Sequence, residues 1–561
     1  MTFEPGIPMS QNTFTDRLRT LPVSDRALLT VCYAAALLAL TLGVLFGAGT
    51  AAARAGFVEL NPFYGYRLMT QHGVSIFFYW LYFAQAGLLL TFAATHTAGA
   101  ERIAWREVAW IGLTLMISGF VLSMAGTMSG MPLLYDAPPD LAATGAPRAG
   151  MFYAGYLLLG AGLFCIASAA VATALAPRFA GTADEWSAVS FAAVAWAGLL
   201  MVSAVAAINA FLPAARWAFG WGPMPVDYST GWHVLFHNMH YLPLMATVLV
   251  WYVLVKVLTG VESIYGARFS KIVFATYLIF VPPTSLYHMF LEPNLAEPVR
   301  VIGSLLSLFI SVPTVLVFLV IVASLETHAR AHGARGLFGW VRLLPWGNPA
   351  MTAIGMAVLS LAAGGALSFV LIQGKLAPLL SDTFFVPGYF HFLTVGTVTL
   401  TFLGALCYVI PALVGRSLWR PRLLARLPYL VTAGLALFGT AGVVAGYLGV
   451  PRRMLDVSFG GDAPEVWLTL MTAMGAGGTI MALGLLLYVF GLVRTLLPGL
   501  PRLQMMHLPS VDWSGVSVGR ERAWIGPLSV VTLVVVMTLF TVVAFEIMQA
   551  LPLLTSGGGG H

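Results

Sequence analysis

About thirteen apolar stretches of roughly twenty residues or more run the length of the chain, and they leave it no aqueous fold. They lie near 28-50, 70-95, 107-132, 149-176, 187-212, 233-259, 270-291, 302-325, 350-373, 384-415, 426-449, 465-493 and 525-551. Of 561 residues, 59% are hydrophobic and 9% charged, more apolar surface than soluble cores of this size can hide. The solvent is lipid. The expected fold is all-α, a polytopic transmembrane helical bundle of about 13 helices. It divides into a cytoplasmic N-terminal segment at 1-27, one membrane domain at 28-551 and a flexible, Gly-rich tail at 552-561. The basic leader has no small-residue cleavage site, so the first span is read as a retained helix.

A formal charge of +6 would suggest nucleic acid as partner of a soluble protein, but here the basic residues sit in short loops between apolar runs. Topology explains them better, and no nucleic-acid partner is expected. With the N-terminus inside, 20 of the 28 Lys and Arg residues fall on the cytoplasmic side. The eight outside are Arg54, Arg67, Arg148, Arg216, Arg300, Lys375, Arg452 and Arg453. Cys32, Cys165 and Cys407 are isolated within predicted helices, without metal or disulfide spacing, and read as packing residues. No Walker loop, dinucleotide fingerprint or internal repeat appears.

An ionisable side chain in a membrane helix is costly and normally serves a ligand, a proton or a cofactor. Of eleven histidines, His96, His328, His332, His507 and His561 are placed in loops or the tail, as solvated side chains. His72, His233, His237, His240, His288 and His391 are placed toward the outer ends of spans, where they could meet in one layer. Paired imidazoles from two helices hold a six-coordinate heme, and clustered imidazoles suit copper. His233, His237 and His240 follow i, i+4, i+7 spacing and share one helix face. A water-lined polar face is the alternative there, since Asn238 and Tyr241 stand beside them.

Ordered blocks across most of the chain resemble subunit I of the B-type heme-copper oxidases. They are Tyr66-Arg67-Leu68-Met69-Thr70-Gln71-His72-Gly73-Val74, Ala323-Ser324-Leu325-Glu326, Arg335-Gly-Leu-Phe-Gly-Trp340-Val-Arg342-Leu-Leu-Pro345-Trp346, Val386-Pro387-Gly388-Tyr389-Phe390-His391 and Val450-Pro451-Arg452-Arg453. The resemblance implies that His72 and His391 are the axial ligands of a low-spin heme b, and that Arg452 and Arg453 clamp its propionates. At the second site the chain departs from the family. Tyr389 stands where the family has the proximal His of a high-spin heme, and Tyr287 replaces one of two adjacent copper ligands, leaving His288. The family's Gly-His-Pro-x-x-Tyr best matches Phe236 to Tyr241, with His237 as copper ligand and His233 or His240 as alternative counterparts. Ala377 and Ser381 match poorly the polar residues the family keeps near its second propionates.

Two functions follow from the resemblance. One is reduction of dioxygen or nitric oxide at an altered centre, with copper on His237, His240 and His288, Tyr241 as proton and electron donor, and Tyr389 as phenolate to iron. The other is an electron-transfer subunit that keeps heme b alone and serves a partner protein or quinol. The simultaneous departures favour the second, with copper persisting on the three imidazoles and a second heme not conventionally held. A heme or copper transport or sensing role is a third reading with less support. Expected partners are membrane lipid, a small membrane or copper-containing respiratory subunit, and cytochrome c or quinol as donor. The expected location is the inner (cytoplasmic) membrane of a bacterial or archaeal cell.

Overall fold

The computed structural model describes residues 13–128, 141, 145–182, 185–225, 228–282, 308–309, 311–372, 376–499, 508–514 and 526–549, with backbone alone at 13, 228–238 and 540–549. In chain order its main helices are α1 (Thr13–Thr20), α2 (Val23–Arg54), α3 (Pro62–His96), α4 (Arg106–Thr127), α5 (Ala146–Phe179), α6 (Ala188–Ala218), α7 (Tyr228–Thr259), α8 (Gly266–Phe280), α9 (Ser311–Ala331), α10 (Pro349–Leu371), α11 (Phe385–Val414), α12 (Leu427–Tyr447), α13 (Glu465–Leu496) and α14 (Pro527–Gln549). Among the described residues, eleven helices are long and apolar enough to cross a membrane, and the chain is a multi-pass membrane protein. The stretches expected at 270-291 and 525-551 appear as α8, beyond which 283–307 lie outside the described residues, and as α14.

Local signals start these helices. Asn61 accepts from the Phe63 amide and Pro62 occupies the first helical turn of α3, while Asn348 and Pro349 do the same for α10. Packing between helices rests on missing side chains, since lipid offers no hydrophobic drive to hold helices together. A β-carbon on Gly119 of α4 would stand 2.5 Å from the Gly155 carbonyl of α5, and one on Gly434 of α12 would stand 2.5 Å from the Met481 amide of α13. Gly388 of α11 approaches the α12 backbone equally closely, at Val443 and Gly439.

Two helices occupy the centre. The apolar windows of α3 and α11 are each 94% buried, against 78% or less for every other span. Both are interrupted by π-helical turns, at Val74–Trp80 and Phe392–Thr399. Such turns recur at functional sites because the extra residue re-aims the side chains around it.

The opposite end of the bundle carries a second organised region. Glu326 of α9 is fully buried, pairs with Arg330 at 2.7 Å, and accepts from the Leu528 and Ser529 amides and the Ser529 hydroxyl at the start of α14. Of the five histidines expected to be solvated, His332 is exposed in the turn after α9, His507 and His561 lie outside the described residues, and His96 and His328 are corrected here. His96 is the last residue of α3, packed against Phe14 and Phe92, and His328 lies within α9, buried, with Nδ1 2.8 Å from the Ser324 carbonyl. Hydropathy alone puts both in loops because the apolar runs end before them, whereas α3 runs one residue further, to His96, and α9 six residues further, to Ala331.

Candidate functional site

His72 is the next-to-last residue of the first part of α3, two residues before its π-helical segment, and His391 immediately precedes that of α11. The His72 Nδ1 lies 2.7 Å from the Gly43 carbonyl, and the His391 Nδ1 lies 2.6 Å from the Pro387 carbonyl. A carbonyl only accepts, so each Nδ1 carries the proton and each Nε2 keeps its lone pair. The two ring planes differ by 11° and the ring centroids are 6.2 Å apart. That separation suits a shared metal: two metal–nitrogen bonds of about 2 Å, plus about 1 Å from each nitrogen to its ring centre, place the centroids about 6 Å apart.

Both imidazoles line one cavity of about 260 Å³. Its walls are apolar, including Val44, Phe77, Phe438, Met474, Met481 and Leu485. Its rim is cationic, with Arg54, Arg452 and Arg453. Facing imidazoles, apolar walls and a guanidinium rim fit a planar iron macrocycle that carries carboxylates at one edge.

The rim is built by tertiary contacts. The Arg452 amide donates to the Asp382 carbonyl at 2.9 Å and the Phe384 amide to the Val450 carbonyl at 2.9 Å, so the turn after α12 is laced to the residues that lead into α11. The Arg452 guanidinium also pairs with the Asp382 carboxylate at 2.9 Å. Arg453 has left-handed backbone, φ 69°. Arg54 arrives from the end of α2, donates Nε to the Met454 carbonyl at 2.9 Å, and lies 5.0 Å from the Phe384 ring. In the sequence Arg54 counts only as a minority-side basic residue. Its position at the end of the first span is the one signal available there.

Beyond the cavity, Phe77 and Phe390 form a partition. The His240 ring sits against both, 4.2 Å and 4.9 Å between centroids, and Phe77 and Phe390 also line the cavity of His72 and His391. Tyr389 packs with Phe385 and with Phe390, the ring that bears His240, and Tyr241 follows His240 on α7. The structure therefore brings His240, Tyr241 and Tyr389 to one neighbourhood. For His237 and His233 only backbone is described, and Tyr287 and His288 lie outside the described residues, so of the three-imidazole copper set only the His240 side chain is described. Among the described residues there is no cluster of three His, Cys, Asp or Glu side chains suited to a metal.

Comparison with known proteins places this geometry in a family. Residues 27–480 match the family described as cytochrome C and quinol oxidase polypeptide I. The chain is 30% identical over 310 residues to a cytochrome c oxidase subunit 1 of Thermus thermophilus, which is 54% of this chain and 55% of that protein. A second Thermus thermophilus cytochrome c oxidase subunit 1 is 37% identical over 78 residues, 14% of this chain and 72% of that one. The chain thus spans about half the length of the first of these relatives. In fold it is similar to a heme-copper terminal oxidase solved as a dimer by electron cryomicroscopy, with a TM-score of 0.75 over 94% of this chain and 92% of that one, at 20% identity. With four-fifths of its length matched, the chain belongs to the cytochrome c and quinol oxidase polypeptide I family, the subunit I family of the heme-copper oxidases.

Proposed function

We propose that the chain is the electron-carrying subunit of a respiratory membrane oxidoreductase, with a low-spin heme b held between His72 and His391. The observation that carries this reading is the pair of near-parallel imidazoles 6.2 Å apart, each with its Nδ1 proton engaged by a backbone carbonyl. A heme bound there supplies a one-electron couple in a water-poor interior. Arg54, Arg452 and Arg453 neutralise its carboxylates and favour the reduced state. Gly43 and Pro387 hold the imidazole tautomers.

The second centre is altered, and Tyr389 leaves it without the imidazole that would select a further heme. The chain works in the inner membrane of a bacterial or archaeal cell, beside a small membrane or copper-containing subunit, with cytochrome c or quinol as donor. Reduction of dioxygen or nitric oxide, with copper on His237, His240 and His288, is the second reading. The contact of His240 with Phe77 and Phe390 favours it, because it sets a metal ligand one ring away from the heme cavity.

Heme and copper stoichiometry of the purified protein tests both, with optical spectra before and after carbon monoxide. Close to one heme per chain, with almost no photolabile carbon monoxide complex, supports electron transfer alone. Two hemes per chain with a carbon monoxide difference spectrum would make Tyr389 a ligand in a working reductase. No heme at all would end the proposal.

A further inference from the structure

Pro243 lies inside α7 and has no amide proton. The carbonyl four residues earlier, that of Met239, therefore lacks its helical donor. Met239 is 2% exposed, so no solvent reaches that carbonyl from the side of its own residue. The donor comes from another helix. Tyr82 of α3, itself fully buried, places its hydroxyl 2.8 Å from the Met239 oxygen. A phenylalanine would pack the same space, so the hydroxyl is there for the bond.

The residue after Met239 is His240, whose ring is seated against Phe77, and Phe77 stands on the same helix as Tyr82. The central helix thus grips α7 at two points on either side of one peptide unit. A proline both frees a carbonyl and allows the helix to bend at that turn. In a membrane interior, such a freed group is satisfied by a neighbouring helix or the bend is not held.

We infer that Tyr82 is a positioning residue for the second site: its hydroxyl replaces the hydrogen bond that Pro243 removes, and so holds the turn that presents His240 and Tyr241. The inference rests on the reading that His240 belongs to that site, and it concerns the same protein whether or not copper is bound there.

The test uses the full-length purified protein and follows carbethoxylation of His240 by diethyl pyrocarbonate, read peptide by peptide in a mass spectrometer. Wild-type protein should show slow His240 labelling. Tyr82→Phe should label several-fold faster at His240, with His96 and His328 unchanged as internal references. Pro243→Ala restores an amide donor to Met239, so Tyr82→Phe in that background should return to the slow rate. If Tyr82→Phe alone does not accumulate, the double variant should, because the carbonyl is again satisfied.

An unchanged His240 rate in Tyr82→Phe overturns the inference. So does an equal rise at all histidines, or a failure of Pro243→Ala to rescue. The reduced α band of the wild-type protein is recorded alongside. Its absence would sink the heme reading, whereas the labelling pattern judges Tyr82 alone.

Discussion

Gly47 of α2 lies directly against His72: a β-carbon there would stand 2.6 Å from the imidazole Nδ1. The Nδ1 in turn is bonded to the carbonyl of Gly43, one turn earlier on the same helix. The ring is therefore seated in a notch that exists because Gly47 lacks a side chain, whereas a β-carbon on Gly43 would meet Ile76 at 2.6 Å rather than the ring. Gly47→Val should push the imidazole off its carbonyl, because backbone on one side and ring on the other leave no room for a branched side chain. The expected result is a large loss of heme per chain, with Gly47→Ala intermediate. Full heme content in Gly47→Val would show that His72 is not held as described.

Replacing either His72 or His391 with Ala should abolish the sharp reduced α band, because each is one half of a two-ligand set. His391→Ala with the wild-type spectrum would show that another side chain carries the iron. Thermal stability measured in parallel separates loss of ligation from loss of fold.

The three rim guanidinium groups should raise the heme midpoint potential, since positive charge near the macrocycle favours the reduced form. Arg452→Gln/Arg453→Gln should lower it. Each removed charge is worth on the order of 1 kcal/mol at this distance and polarity, which is tens of millivolts for one electron. Arg54→Gln should act in the same direction. A spectroelectrochemical titration with an unmoved midpoint would place these arginines away from the heme edge.

At the other end of the bundle, Glu326→Ala should loosen α14, because it removes the acceptor for two amides and a hydroxyl at once. A loss of about 1–3 kcal/mol is expected for leaving buried donors unsatisfied. Glu326→Gln keeps an acceptor oxygen and should cost less. Limited proteolysis between α13 and α14 reads the difference. Equal cleavage of both variants and wild type would show that the carboxylate does not anchor α14.

His72 and His391 are legible in the sequence because polar groups are rare in lipid-facing segments and both sit in long-range motif blocks. The same holds for Arg452 and Arg453, an adjacent pair on the side where cations are scarce. Arg54, Asp382 and the notch at Gly47 are not legible there. Their roles depend on residues far away in the chain, such as Met454 for Arg54 and His72 for Gly47. His328 reads as a loop residue because hydropathy falls before a helix does: the last turns of α9 are polar in sequence yet covered by neighbouring segments.

Hydrophobic periodicity and length by themselves determined that this chain is a bundle of membrane-spanning helices, because lipid accepts few backbone solutions and the sequence must declare them in long apolar runs. They also marked His72 and His391 as imidazoles within apolar spans, while putting His96 and His328 in loops. Only the tertiary structure decided which of those imidazoles face one another, that Phe77 and Phe390 stand between that pair and His240, and that Tyr82 serves the carbonyl freed by Pro243. The physical reason is that these are contacts between helices. Their geometry follows from close approach at glycines and from π-helical turns, and neither is encoded in the local pattern of apolar and polar residues.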